Sequence, residues 1–269
     1  MNWLSRILEA LFGRTRSQPR APHKPTEQRD VTIAKPAPVP PPASPPPPEP
    51  RPEPPPAPVP SEQPVAGDFL QVLARGDRSA LRREDYAAVA ARLRCDVEAL
   101  MAVAEVESGR LGAFGSDGRP VILFEPHVFA RLTGQRFNES HPHLSSRRWN
   151  RALYPRGGQG PIYAQLAEAY ALDPEAALKA TSWGRFQVLG QHHDWQGHAT
   201  AQAFVADMAG SEARQLAAFE RFITFNHLDD ELRRLDWRGF AAGYNGPAYE
   251  QNRYHEKMAE AYARLKAGS

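Results

Sequence analysis

The chain has 269 residues, 33 of them basic and 31 acidic, for a net charge of +2. Both signs are spread along it, so no basic footprint argues for nucleic acid as a partner. Its one cysteine, Cys95, excludes an internal disulfide framework and speaks against a cysteine-based metal site, and no apolar run is long enough to span a bilayer.

Residues 2–14 read as a short amphipathic helix, with Trp3, Leu4, Ile7, Leu8 and Leu11 on one stripe. Arg6 and Glu9 interrupt the apolar run and no small-residue cleavage site follows, so the segment does not read as a cleavable secretory signal. Two roles are open to it: a foot on a membrane surface, which is the expectation, or a docking helix for a partner protein. Residues 1–16 therefore form a segment of their own.

Residues 17–66 form a linker of different character. Pro36 to Pro60 is mostly proline with Ala, Val, Glu and Arg, a composition that cannot bury a core. It should run as extended polyproline II, with a reach on the order of 80 Å if straight.

Order is expected over residues 67–266. Tyr86, Val89, Ala90 and Leu93 mark one helix, and Asp96 is a good N-cap for the next. In that second helix Val97, Leu100, Met101 and Ala104 share one apolar face. Cys95, just before the cap, reads as a small packing residue. A β-prone run, Val121 to Phe124, is bounded by turn residues and ends on Glu125, with His127 after it. The polar stretch from Gly134 to Gly160, holding His141, His143, Trp149 and Tyr154, is too long for a simple connector and reads as a cleft wall. Further helices carry Ile162, Leu166 and Ala169; Ala176, Ala177 and Ala180; Phe204 to Met208; Leu216, Phe219 and Ile223; Asp236 to Tyr244; and Tyr254 through Leu265. The expected fold class is mostly α with a small β element, preceded by a disordered Pro-rich segment.

The Asp96 helix ends in Glu105-Val106-Glu107-Ser108-Gly109. Glu107 lies three and seven positions beyond Ala104 and Leu100 and shares their side, whereas Glu105 is about 200° back round the helix, beside Ala102 and Glu98. A carboxyl on an apolar face loses hydration when ionised, so its pKa rises and it holds a proton near neutral pH. That is the requirement for a general acid in glycoside cleavage. A plain helix-end role for Glu107 is equally open from this helix alone.

Two further segments stand out: Trp183-Gly184-Arg185-Phe186-Gln187, and Ala242-Gly243-Tyr244-Asn245-Gly246-Pro247 on a helix carrying Trp237 and Phe240. With Glu107-Ser108-Gly109 and Ile122 to Phe129, in this order, they resemble the lysozyme-like superfamily of goose-type lysozymes and lytic transglycosylases. The resemblance is closer to the phage endolysin N-acetylmuramidase domain family, and it runs from about Arg83 to Leu265. Two departures, Arg110 in place of a second glycine and Arg185 in place of an apolar residue, bear on the cleft rim and not on the acid.

The resemblance implies a lysozyme-like fold and cleavage of the β-1,4 bond between N-acetylmuramic acid and N-acetylglucosamine in peptidoglycan. It makes Glu107 the general acid and lines the cleft with Ser108, His127, Trp183, Gln187, Tyr244 and Asn245. Trp183 and Phe186 offer faces to pyranose rings, with core packing equally open for Phe186 and a buried structural role open for Tyr244. Glu125 is the candidate second carboxylate. Inversion needs the two carboxyls about 6.5–9.5 Å apart, and retention about 5–5.5 Å. A structural partnership of Glu125 with His127 or an arginine is the competing reading. If no second carboxylate acts, the product is a 1,6-anhydro sugar, the lytic transglycosylase outcome.

His192, His193, Asp194 and His198 lack the spacing of a helical metal site, and Gly190 and Gly197 make the stretch a loop that reads as solvated and polar; no metal or cofactor is expected. The remaining expectations are a monomer acting on glycan strands, made in the bacterial cytoplasm and working on the periplasmic wall as a phage or prophage endolysin. A secreted effector and a non-catalytic wall-binding protein are the rival organisations.

Overall fold

Short polar side chains decide where several helices begin in the computed structural model, which describes residues 66–108, 112–245 and 249–268. The expectations for residues 1–65 fall outside these. The first two helices are α1 (Ala66–Val72) and α2 (Arg83–Leu93). In α2 the Asp85 carboxylate turns back to accept from the Arg82 amide at 2.7 Å, and Tyr86, Val89, Ala90 and Leu93 face inward as their spacing predicts.

Helix α3 (Val97–Ser108) departs from the one-sided pattern. Ala99, Leu100, Ala102, Val103 and Ala104 are all buried, whereas Val97 and Met101 are only half-buried. Glu105 is exposed, but Glu98 does not mark the solvent side. Glu98 is buried because Arg83 and Lys266 pair with it, and Arg83, foremost, holds its carboxyl down to about 2. The Asp96 carboxylate, expected to cap, instead accepts from the Tyr262 hydroxyl at 2.7 Å.

Strand β1 (Ile122–Phe124) leads directly into α4 (Pro126–Leu132), with Glu125 at the N-cap and proline in the first turn. Helices α5 (Gln159–Leu172) and α6 (Pro174–Lys179) follow, the second capped by Asp173, whose carboxylate accepts from the Ala176 amide at 3.0 Å. Next come β2 (Thr181–Trp183) and β3 (Val188–Leu189), two strands too short for an alternating pattern to reveal. The sheet is antiparallel in the order β1-β2-β3, with Ile122 opposite Trp183 and Trp183 opposite Val188.

Helices α7 (Ala201–Gly210) and α8 (Glu212–Phe225) are capped by the Thr200 and Ser211 hydroxyls. The α8 stripe of Leu216, Phe219 and Ile223 is buried. A short α9 (Asp229–Arg234), absent from the sequence reading, precedes α10 (Trp237–Asn245) and α11 (Tyr254–Ala267). Helix α11 lies along α3, joined to it by Tyr262–Asp96, Lys266–Asp96, Lys266–Glu98 and Arg264–Glu105. The fold is predominantly helical with one small open sheet, consistent with a lysozyme-like domain. Among the described residues no helix is long and apolar enough to cross a membrane.

Candidate active site

Tyr244 links the three segments singled out in the sequence: it feels the Glu107 charge and bonds the Trp183–Gln187 segment. Glu107, in the last turn of α3, is 6% exposed, while Glu105 points outward and pairs with Arg264. The two acids of Glu-Val-Glu thus separate as the helical geometry requires. Ser108 ends the helix, and its side chain lies outside the described residues, as does that of Asn245.

Tyr244, near the end of α10, packs against Phe240 (5.7 Å between centroids) and meets Phe219 and Phe222 edge-on. Its hydroxyl donates to the Phe186 carbonyl at 3.3 Å. Enclosure among these groups, and next the Glu107 charge, raise the phenol well above its ordinary pKa. Tyr244 therefore joins α10 to the β2–β3 turn and is electrostatically coupled to the acid on α3.

That turn, Gly184 to Gln187, is what Trp-Gly-Arg-Phe-Gln encodes. Gly184 (φ +72°) and Gln187 (φ +49°) both adopt the left-handed region, and the Gln187 amide donates to the Gly184 carbonyl at 3.1 Å. A Cβ on Gly184 would lie 2.4 Å from the Gln215 side chain, so glycine is required for space as well as for φ. Gln215 uses that approach to accept from the Arg185 amide at 2.6 Å and to donate to the Met208 carbonyl at 2.9 Å. Arg185 pairs with the buried Glu212 at 2.7 Å, which accounts for a charged residue in this turn.

Gln187 is buried, and its Nε2 donates to the Val121 and Gly184 carbonyls at 3.0 and 2.8 Å. Its donor holds the turn against the β1 segment, while Oε1 is buried and accepts no hydrogen bond among the described residues. Trp183 is wholly buried and donates from Nε1 to the Leu178 carbonyl at 3.2 Å. As placed, its ring offers no face to a sugar, correcting the platform expectation: β2 is the middle strand and its side chains are all enclosed. Phe186 is likewise a core residue, stacked on Phe219 at 4.3 Å.

Glu125 has no exposed surface. Its Oε2 accepts from the Tyr154 hydroxyl and lies 3.2 Å from Nδ1 of half-buried His127. Its backbone amide donates to the Ala180 carbonyl at 2.9 Å, tying the start of α4 to β2. Tyr154, named in the sequence only as part of a polar stretch, proves to be the principal partner of Glu125, and no local spacing signals that contact. Gln159 was also missed. Its amide accepts from the Ile122 amide at 2.8 Å and donates to the Ile122 carbonyl at 3.3 Å, pairing with β1 as another strand would.

The histidine loop is not solvated as expected. Nδ1 of His192 accepts from the Trp195 indole at 3.2 Å, Nδ1 of His193 sits 3.0 Å from the His198 carbonyl, and Nε2 of His198 lies 3.5 Å from Asp207. Trp195, stacked on Phe225 at 4.3 Å, draws the loop against α8. Among the described residues no group of three His, Cys, Asp or Glu is placed to hold a metal. Burial, chiefly, pushes the Cys95 thiol up to about 11, so it is protonated at neutral pH.

The family model for N-acetylmuramidase matches residues 96–266. Among solved structures, the chain is similar to a Burkholderia AP3 phage endolysin at 38% identity and a TM-score of 0.65, covering 72% of this chain and 74% of that one. No curated protein matches.

Proposed function

The chain belongs to the N-acetylmuramidase family and is a glycoside hydrolase of the endolysin type acting on peptidoglycan; from that premise we propose that it cleaves the β-1,4 bond between N-acetylmuramic acid and N-acetylglucosamine, with Glu107 as general acid. The observation that carries the assignment is the enclosure of Glu107 at the end of α3 beside Tyr244, which is itself bonded to the Gly184–Gln187 turn. A general acid must deliver a proton to the leaving glycosidic oxygen, and that is the role this reading gives Glu107.

Glu125 acts as a positioning residue in this reading. A general base must reach a water, and both its burial and its bond to Tyr154 commit it to the interior. That same observation favours a second course, in which the muramyl acetamido group and C6 hydroxyl replace a second carboxylate and the enzyme is a lytic transglycosylase. Mass spectrometry of digested sacculi separates the two: reducing-end muropeptides support hydrolysis, and 1,6-anhydro-muropeptides establish transglycosylation.

The wider setting is also a proposal. The protein is made in the bacterial cytoplasm and acts on the wall as a monomer, with residues 2–14 touching the inner membrane and the Pro-rich linker supplying reach. Deleting residues 1–35 is expected to weaken liposome binding without changing activity on isolated sacculi; unchanged liposome binding would reject the membrane role.

A further inference from the structure

Residues 140–167 contain four arginines, Arg147, Arg148, Arg151 and Arg156, and none of the chain's 31 acidic residues. Like charges carried on one segment repel one another, so the segment favours an anionic ligand. Arg147, Arg148 and Arg156 have no carboxylate within ion-pair distance among the described residues. The loop carrying them is firmly held. Leu144 and Tyr154 are buried at its ends, and Gln165 Nε2 donates to the His143 and Leu153 carbonyls at 3.0 and 2.9 Å. The Ser146 hydroxyl donates to the Arg148 carbonyl at 2.7 Å, and the Asn150 side chain accepts from the Ala152 amide at 3.0 Å.

This held loop lines a half-open cavity of about 590 Å³, bordered by Asn150, Arg151, Ala152, Tyr154 and Arg156. Guanidinium groups present paired N–H donors that match a carboxylate, and a pre-ordered loop reduces the ordering cost of binding. Tyr154, on the cavity wall, is the residue whose hydroxyl bonds Glu125, so one lining residue of the cavity is bonded to the Ile122–Phe129 segment. A lipid surface is met by a projecting basic face with apolar groups to insert, and a concave, polar-lined pocket is the opposite shape.

We infer that the Arg151–Arg156 cavity binds a carboxylate of the acidic stem peptide borne by muramyl residues, holding a peptide-substituted glycan strand while its backbone is cut. This rests on the muramidase reading for its choice of ligand but not for its test. The test titrates the full-length protein with free stem tetrapeptide by calorimetry, with no cleavage involved. Wild type is expected to bind saturably, Arg156→Gln at least tenfold more weakly, and Arg147→Gln, outside the cavity, within twofold of wild type. A peptide with its carboxylates amidated should lose binding to the same degree as Arg156→Gln. Equal binding by wild type and Arg156→Gln, or undiminished binding of the amidated peptide, would overturn the inference. So would binding of phosphatidylglycerol vesicles that Arg156→Gln abolishes while the tetrapeptide fails to bind, an outcome that would make the cluster a lipid-facing surface. If the bond assignment were wrong, the digestion products would differ while this titration stayed as expected.

Discussion

The hydroxyl of Tyr244 donates to the backbone carbonyl of Phe186 at 3.3 Å, tying the end of α10 to the turn between β2 and β3. This bond joins two segments far apart in the sequence, and the Glu107 charge acts on the same phenol. The bond is long for an O–H donor, so its direct contribution is modest. Tyr244→Phe keeps the stacked ring and removes only the hydroxyl. Thermal melting should show a loss of about 1 kcal/mol, and turnover of sacculi should fall further than stability does, because the Gly184–Gln187 turn loses its tie to the residue that feels the Glu107 charge. An unchanged turnover would detach Tyr244 from the site.

Glu125 is the residue for which a conservative and a disruptive change should differ most. Glu125→Gln preserves shape and leaves an amide oxygen to accept the Tyr154 hydroxyl, so turnover should remain within about tenfold of wild type. Glu125→Ala leaves the buried Tyr154 hydroxyl unsatisfied as well as opening a void, and should cost about 2–4 kcal/mol in denaturant unfolding. A loss of about 10³ in turnover for Glu125→Gln at unchanged stability would instead make it the base.

Acid unfolding should depend on Glu98. Its pKa is depressed in the folded state, from 4.5 to about 2, by the Arg83 hydrogen bond first, with Lys266 adding to it. Its contribution to stability is therefore fully present above pH 4.5 and is lost as pH falls toward about 2. Arg83 and Lys266 are about half exposed, so solvent screens the pair and the contribution stays near about 1 kcal/mol. Glu98→Gln should lower stability at neutral pH and flatten the dependence between pH 4.5 and 2, measured by chemical unfolding at each pH. An unaltered pH profile would show that the pairing contributes nothing.

Much of the helical frame was legible because its apolar residues recur on one side. Tyr86, Val89, Ala90 and Leu93, like Leu216, Phe219 and Ile223, are buried as their spacing implied. Periodicity failed at α3, where paired charges let Glu98 enter the interior and the helix is enclosed on more than one face. It also missed β2 and β3, because strands of three and two residues carry too few alternations to register. In the site, the family resemblance brought Glu107, Gln187 and Tyr244 to attention, but not that the Gln187 donor is spent on Val121 and Gly184 or that Trp183 is enclosed. Those facts depend on which strand lies in the middle of the sheet. The Tyr154–Glu125 bond is likewise a product of tertiary packing, with no local pattern to announce it.

The general-acid assignment stands or falls with one carboxyl. Lysis of purified sacculi, followed by turbidity, should be reduced by at least about 10³ in Glu107→Gln, with sacculus binding and melting temperature retained, since an amide preserves the shape but has no acidic proton to transfer. Turnover by Glu107→Gln near that of the wild type would contradict the account.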